Sequence, residues 1–356
     1  MKIARLAGAA VALALASASA AQAQLVLRFA DGSPNRGERA AAVKHFAELV
    51  AEKSDGSLQV EVHWAGALLE FSAIYKGVTL GTADIGTLLN AYTPKELVSL
   101  GVGDLPIGAS ADPWVGMHAM QELMTTNPEM IRALADRNLV YLMDYHSTGI
   151  QQMCRGEANV RKLDDLRGKK VRAAGLYAHA LDDLGANVIS LTYSDVYQAL
   201  DSGLIDCTSG YLYAIPAYKL NEVIEDVLLL DWGQVAGFIG GMNKDLWDSL
   251  SDAQRQALRE AGEGIIDEYA RELIESYDSS LEALESGAYD GKVISVYKAD
   301  AADRARMEEI GAKYVDQWVE DFSAGGYDGA AVLAEYRRLL AKYAKIRDDE
   351  GYPWAR

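Results

Sequence analysis

Apolar positions recur along the chain in two alternating rhythms, one of two residues and one near 3.6. Residues 26–30 read as a strand. Val43, Phe46, Ala47 and Val50 then fall at i, i+3, i+4 and i+7, which is one face of a helix. Leu58, Val60 and Val62 alternate as a second strand, 72–80 reads as a helix, and 83–89 is continuously apolar, as in a strand buried between helices. This βαβαβ order predicts an open α/β sheet. The same grammar restarts after Asn138, with strands over 139–143, 149–153, 168–172, 188–191 and 204–207 and helices over 178–184 and 194–200. A second α/β unit is expected. Strand-like stretches at 227–230 and 237–242 read as a return to the first sheet.

Ser251 and Gln254 form an S-x-x-Q capping box that opens a helical pattern running to about Glu285 and ending at Gly287. At 1.5 Å per residue, about 35 residues make a rod of roughly 50 Å. Such a rod either covers one core or runs across two domains, and its length favours the second. Amphipathic helices follow over 301–322 and 329–345.

The chain of 356 residues is long enough for two cores. Lys2 and Arg5 precede an uncharged Ala- and Leu-rich run over 6–16, and Ala21-Gln22-Ala23 has the small-x-small form of a cleavage site. This is the pattern of a secretory signal over 1–23, predicting a periplasmic protein that starts at Gln24. No later run is apolar enough to suggest membrane insertion. The net charge of −18 falls by two more when Lys2 and Arg5 leave. Such a surface repels nucleic acid and anionic lipid, so an anionic ligand needs a local cation to hold it. Cys154 and Cys207 are the only cysteines. An oxidising compartment permits a disulfide between them, the alternative being two buried thiols.

Signatures of catalysis are sparse. His45, His63, His118, His146 and His179 stand singly, with no H-E-x-x-H, no Cys-x-x-Cys, no G-x-S-x-G and no phosphate-binding glycine loop. No metal or cofactor is expected, and an enzyme would need residues that converge only in space. Arg172 stands out because it ends a strand just before the turn at Gly175, at the sheet edge where ligands of open α/β folds collect. A guanidinium there can hold one carboxylate by two parallel hydrogen bonds, or it can pair with a neighbouring acid.

Several segments, read in order, carry a family likeness: Phe29-Ala-Asp, Leu80-Gly-Thr-Ala-Asp-Ile-Gly86, Asp165-Leu-Arg-Gly-Lys-Lys-Val-Arg172, Tyr193-Ser-Asp-Val-Tyr-Gln-Ala-Leu, Gly203-Leu-Ile-Asp206 and Asn243-Lys-Asp-Leu-Trp. Together they resemble the extracytoplasmic binding proteins of tripartite ATP-independent periplasmic (TRAP) transporters, the dicarboxylate-binding family. The resemblance implies a monomeric two-lobed clamp: two open α/β sheets joined by hinge strands, and a long helix spanning both lobes. It assigns 24–148 and 237–276 to lobe 1, and 149–236 and 277–356, with the C-terminal helices, to lobe 2. It further implies a small organic acid between the lobes, gripped by Arg172 and lined by Tyr193, and delivery to TRAP membrane subunits.

The departures shape the ligand. Gln151 stands where many members carry a second arginine, so a second cationic contact is expected to be absent. Tyr211, Tyr213, Tyr218 and Trp232 lie near the cleft strands, and two of the four are expected in the pocket. Asn90, Glu70 and Phe71 complete the candidate set from lobe 1. A monocarboxylate with an apolar or aromatic body is the favoured ligand. If Glu70 neutralised Arg172, the aromatic set could instead cage a small amine. A binding protein for an ATP-driven transporter, a sensor and a secreted α/β enzyme are the remaining alternatives.

Overall fold

The computed structural model describes residues 24–356, so the expected signal segment over 1–23 lies outside the described residues. Two sheets organise the chain. The first contains β1 (Leu25–Ala30), β2 (Leu58–His63), β3 (Ile85–Leu89) and β4 (Leu139–Asp144). The second contains β5 (Ile150–Cys154), β6 (Lys170–Arg172), β7 (Asn187–Ile189), β8 (Cys207–Gly210) and β9 (Asp226–Trp232). β10 (Phe238–Asn243) returns to the first sheet and β11 (Ser295–Lys298) adds an edge to the second. The strand orders are β2-β1-β3-β10-β4 and β11-β9-β5-β8-β6-β7.

Parallel β1, β2 and β3 are linked by the helices Glu38–Lys53 and Phe71–Thr79, whose apolar faces bury Val43, Phe46, Val50, Ile74 and Val78 against the sheet. The expected return to the first sheet is half corrected. β9 pairs with β5 and β11 in the second sheet, and only β10 crosses back. The fourth strand of the second unit also starts later than its apolar run suggests. Gly203, at φ 71°, turns the chain so that Leu204 points to solvent, and pairing begins at Cys207.

The chain crosses between the two lobes four times, the last time between its C-terminal helices. β4 runs into β5 through 145–149, and β9 runs into β10 through 233–237. The two crossing segments are bonded to each other by Tyr145 N to Phe238 O (2.8 Å) and Ser147 N to Val235 O (3.0 Å). The third crossing is the long rod, which is interrupted by one residue: Asp252–Gly264 and Ile266–Ser286 meet at Ile265. Its first half packs on Glu38–Lys53 and β4, where Gly262 lies so close to the Leu142 carbonyl that a Cβ would sit 1.9 Å from it. Its far end reaches β11 and stops at Gly287, φ 75°, a left-handed cap. The capping box of Ser251 and Gln254 is present.

The C-terminal helices do not both join lobe 2. Ala301–Ala324 packs on Gly175–Asp183 and β9, but Gly329–Glu350 lies along Pro113–Thr126 beside the first sheet. Arg347 Nη1 to Asp112 Oδ2 (2.6 Å) and Tyr343 Oη to Glu122 Oε2 (2.7 Å) fasten it there. Cys154 and Cys207 face each other on paired β5 and β8, with Cα atoms 4.1 Å apart, and are joined as a disulfide. None of the helices among the described residues is long and apolar enough to cross a membrane.

Candidate functional site

The carboxyl ends of β1, β3, β6 and β8 open toward one another, and the cleft between them encloses about 830 Å³ of empty space, its open mouth included. Lobe 1 contributes Ser33, Glu38, Arg39, Phe71, Tyr92 and Phe238. Lobe 2 contributes Arg172, Tyr193, Ser209, Tyr211, Tyr213 and Tyr218.

Arg172 ends β6 and is only 5% exposed. Register with Thr208 on β8 and Ile189 on β7 fixes its backbone, so the side chain leaves the sheet edge toward lobe 1. Nε donates to Leu191 O (2.9 Å) and Nη2 donates to Tyr92 Oη (3.0 Å). Its guanidinium carbon stands 5.1 Å from the centre of the Tyr193 ring. Among the described residues no carboxylate lies within 4.0 Å of it, so this buried charge has no anionic partner in the protein. Glu70 is not that partner; it precedes the helix Phe71–Thr79 without a side-chain capping bond, and its carboxylate lies against Gly66 instead.

The walls are aromatic. Tyr211 stacks on Tyr213 at 5.3 Å and 7°, and Tyr193 stands edge-on to Tyr218 at 4.8 Å. Phe71 faces Tyr92 across 5.6 Å. Burial pushes the Tyr218 phenol up to about 12 and raises those of Tyr193 and Tyr211 further, so all three remain neutral hydroxyls. The Tyr193 and Tyr218 hydroxyls are buried without a protein partner.

The lobes touch through these same residues. Tyr92 Oη, from lobe 1, accepts both from Arg172 and from the Tyr193 backbone N–H (2.9 Å). Arg39 Nη2 donates to Tyr213 Oη (3.2 Å), and Ser194 Oγ donates to Gly32 O (3.2 Å). Arg36 Nε donates to Ala217 O at the mouth.

Of the expected site residues, the cleft brings together Arg172, Tyr193, Tyr211 and Phe71, with Tyr213 and Tyr218 beside them, so three of the four lobe-2 aromatics line it. Trp232 does not; its ring packs edge-on to Tyr177 at 5.1 Å in the core behind the cleft. Gln151 is fully buried, its amide donating to Asp231 Oδ1 (2.6 Å) and accepting from Leu230 N (2.8 Å), which stitches β5 to β9. Asn90 donates to Asp104 Oδ2 (3.4 Å) below the cleft floor. The expectation of a single cation also fails. Arg39, in the first turn of Glu38–Lys53, supplies a second guanidinium from the opposite lobe, 3.9 Å over the Phe238 ring. Its signal in the sequence was a cation in a helix's first turn, where the dipole disfavours one.

A floor of buried polar groups ties cleft to hinge. The Tyr177 hydroxyl sits between the Asp104 and Gln234 carbonyls and accepts from Gln234 N (2.8 Å). Asp104 Oδ1 accepts from the Gly237 N–H (2.7 Å) and the Ala236 N–H (3.1 Å) on the crossing strand. Burial pushes Asp104 up to about 7 and Asp144 up to about 6.

Comparison with known proteins agrees with this architecture. Residues 29–321 match the family described as bacterial extracellular solute-binding protein, family 7. A solute-binding protein of Chromohalobacter salexigens is 26% identical over 294 residues, 78% of this chain and 81% of its own. A TRAP solute-binding protein of Rhodoferax ferrireducens, solved with copurified benzoate, shares the fold at a TM-score of 0.77 and 21% identity over 91% of this chain and 99% of its own. A marine-metagenome TRAP protein specific for aromatic acid ligands, solved with metahydroxyphenylacetate, shares it at 0.76 and 23% identity over 90% and 99%. Two sheets crossed by paired hinge strands, a rod running between them, and a family match over most of the length have one reading: the chain belongs to the family-7 bacterial extracellular solute-binding proteins of TRAP transporters.

Proposed function

We propose that this protein is an exported, periplasmic receptor that captures a small organic monocarboxylate with an apolar or aromatic body and delivers it to TRAP membrane subunits, with no chemistry of its own. The observation that carries this reading is the buried Arg172 guanidinium, which has no carboxylate partner within 4.0 Å among the described residues and opens on a cavity walled by tyrosines from one lobe and by Phe71, Tyr92 and Phe238 from the other. A buried unpaired charge is expensive, and a ligand carboxylate supplies the missing partner. Ligand contact with both lobes favours the closed arrangement over the open one, a population shift driven by differential binding. A small amine fits less well, because three guanidiniums, those of Arg36, Arg39 and Arg172, line the same cavity. The benzoate and metahydroxyphenylacetate held by the structurally similar proteins support the aromatic-acid class.

Isothermal calorimetry of residues 24–356 against aliphatic, sugar-derived and aromatic carboxylates and small amines tests the reading. Arg172→Gln should weaken the best carboxylate by about a hundredfold or more, since it strands a buried carboxylate without its ion pair at about 3 kcal/mol or above. An amine as the best ligand, or a carboxylate indifferent to Arg172→Gln, would refute it. N-terminal sequencing of the exported protein checks the start at Gln24.

A further inference from the structure

The second guanidinium of the cleft, which the carboxylate grip leaves unused, carries an inference about the far end of the ligand, and it rests on the carboxylate reading above. Arg172 and Arg39 sit in unlike electrostatic settings. Among the described residues no carboxylate lies within 4.0 Å of Arg172 or of Arg39, but Arg39 is tied through Ser33 to a buried acid. Arg39 Nη1 donates to Ser33 Oγ (3.4 Å), and the Ser33 backbone N–H donates in turn to Asp31 Oδ1 (2.6 Å). Asp31 is fully buried and also accepts from the Thr87 hydroxyl (2.9 Å). Burial raises the Asp31 pKa, while the Ser33 N–H, Arg39 and the Thr87 hydroxyl all favour its charged form. Glu38, adjacent in sequence and also lining the cleft, feels the same guanidinium. The positive charge of Arg39 is therefore partly offset from behind and from the side, whereas its hydrogen-bonding capacity is not exhausted. Nε is buried with no partner, as are the hydroxyls of Tyr193 and Tyr218 in the same cavity.

We propose that Arg39 is a specificity residue reading a second, uncharged oxygen, a hydroxyl or carbonyl, at the end of the ligand remote from Arg172, and that the site rejects dicarboxylates of the same length. The unfilled donors call for an acceptor, and a neutral oxygen satisfies them. A second carboxylate would have to leave water for an end whose charge is partly offset by Asp31 behind Ser33, and burying a charge without a full match is unfavourable. The seat of Arg39 on the Phe238 face and its bonds to Ser33 and Tyr213 hold the fork in one orientation for that role.

The test is calorimetry with two matched series, phenylacetate, 3-hydroxyphenylacetate and 3-carboxyphenylacetate, and hexanoate, 5-oxohexanoate and hexanedioate. In the natural chain the hydroxy or oxo acid of the better series should bind about tenfold or more tighter than its parent, as hydrogen bonds to a charged group require. The diacid should bind more weakly than the parent. Arg39→Gln should erase the preference for the oxygenated acid, while the loss of its lobe-bridging bond to Tyr213 weakens all the acids by a common factor. Asp31→Asn, which removes the offsetting charge in an isosteric side chain, should move the diacid toward or past the hydroxy acid. Should either variant fail to fold, Arg39→Lys keeps the charge without the fork, and it should lose the preference while still excluding the diacid. A diacid that binds best to the natural chain, or an Arg39→Gln variant that keeps the full preference for the oxygenated acid over its parent, overturns this inference while leaving the Arg172 grip standing. Binding by no acid in either series, or binding indifferent to Arg172→Gln, overturns the grip and this inference with it.

Discussion

Tyr92→Phe isolates one hydroxyl that joins the lobes. Tyr92 belongs to lobe 1, yet both hydrogen bonds its oxygen accepts come from lobe 2: Arg172 Nη2 at 3.0 Å and Tyr193 N at 2.9 Å. The ring contact to Phe71 survives in phenylalanine, so packing is preserved. A bond from a backbone amide contributes about 1 kcal/mol and one from a guanidinium about 1.5–3 kcal/mol. Water in the opened cleft satisfies the same donors, so these are net values for closure rather than for folding. Allowing for partial rescue by water in the closed state, about 2–3 kcal/mol should be lost from the lobe-closed form. If ligand binds only that form, its Kd rises by the same factor, about 30- to 150-fold. Calorimetry measures the Kd, and small-angle scattering with and without ligand reports the mean lobe separation. The variant should scatter as a more open particle without ligand and return to the natural dimension at saturation. An unchanged Kd would refute the reasoning, and so would a weakened Kd accompanied by a fall in unfolding temperature of the ligand-free protein, because the bonds would then stabilise the fold and not closure.

Two further perturbations probe the frame. Asp104 and Asp144 hold protons up to about 7 and about 6 in the fold but only to the ordinary 3.8 when unfolded, so their stabilising contribution is full below about pH 4 and is lost as pH rises through these values. At about 1.4 kcal/mol per tenfold change in proton affinity, urea unfolding should show stability falling by a few kcal/mol between about pH 4.5 and 8. Asp104→Asn should flatten that fall, and equal slopes for both proteins would count against it. The disulfide closes a separation of 53 residues. Chain entropy then gives it about 4 kcal/mol, so Cys154→Ala with Cys207→Ala should lower urea stability by up to that amount; a reductant that leaves the unfolding midpoint unmoved contradicts this.

The alternation of periods made both sheets legible, because buried parallel strands and amphipathic helices leave strong local marks. What escaped was weakly marked or settled at a distance. β11 is a half-exposed edge strand of four residues, Ser-Val-Tyr-Lys, without clean alternation. The helices Pro113–Thr126 and Pro128–Ala135 lie outside the elements expected from periodicity, although Asp112 and Asn127 cap them and proline opens each, which is a start signal. In the cleft, Arg172 was legible because a strand end before a glycine turn has a fixed direction. Gln151 and Trp232 also lie on strands at the cleft, but their side chains answer to the partner strand and the core, which only register decides. Arg39 and Tyr92 reach the site because lobe 1 folds over lobe 2, and no local pattern encodes that approach.

The mouth contacts have a consequence beyond the ligand. Where Ser194 meets Gly32 and Arg36 meets Ala217, the outer surface is assembled from two pieces of protein that no nearby backbone joins. Their permanent connections lie at the far side, in the crossing strands and the rod. A small rotation there would separate this rim by the full length of the lever, so under the proposed closure the seam is continuous in one conformation and absent in the other. The rim would then be a composite epitope, its shape reporting whether the cleft is shut to anything that touches the outside alone.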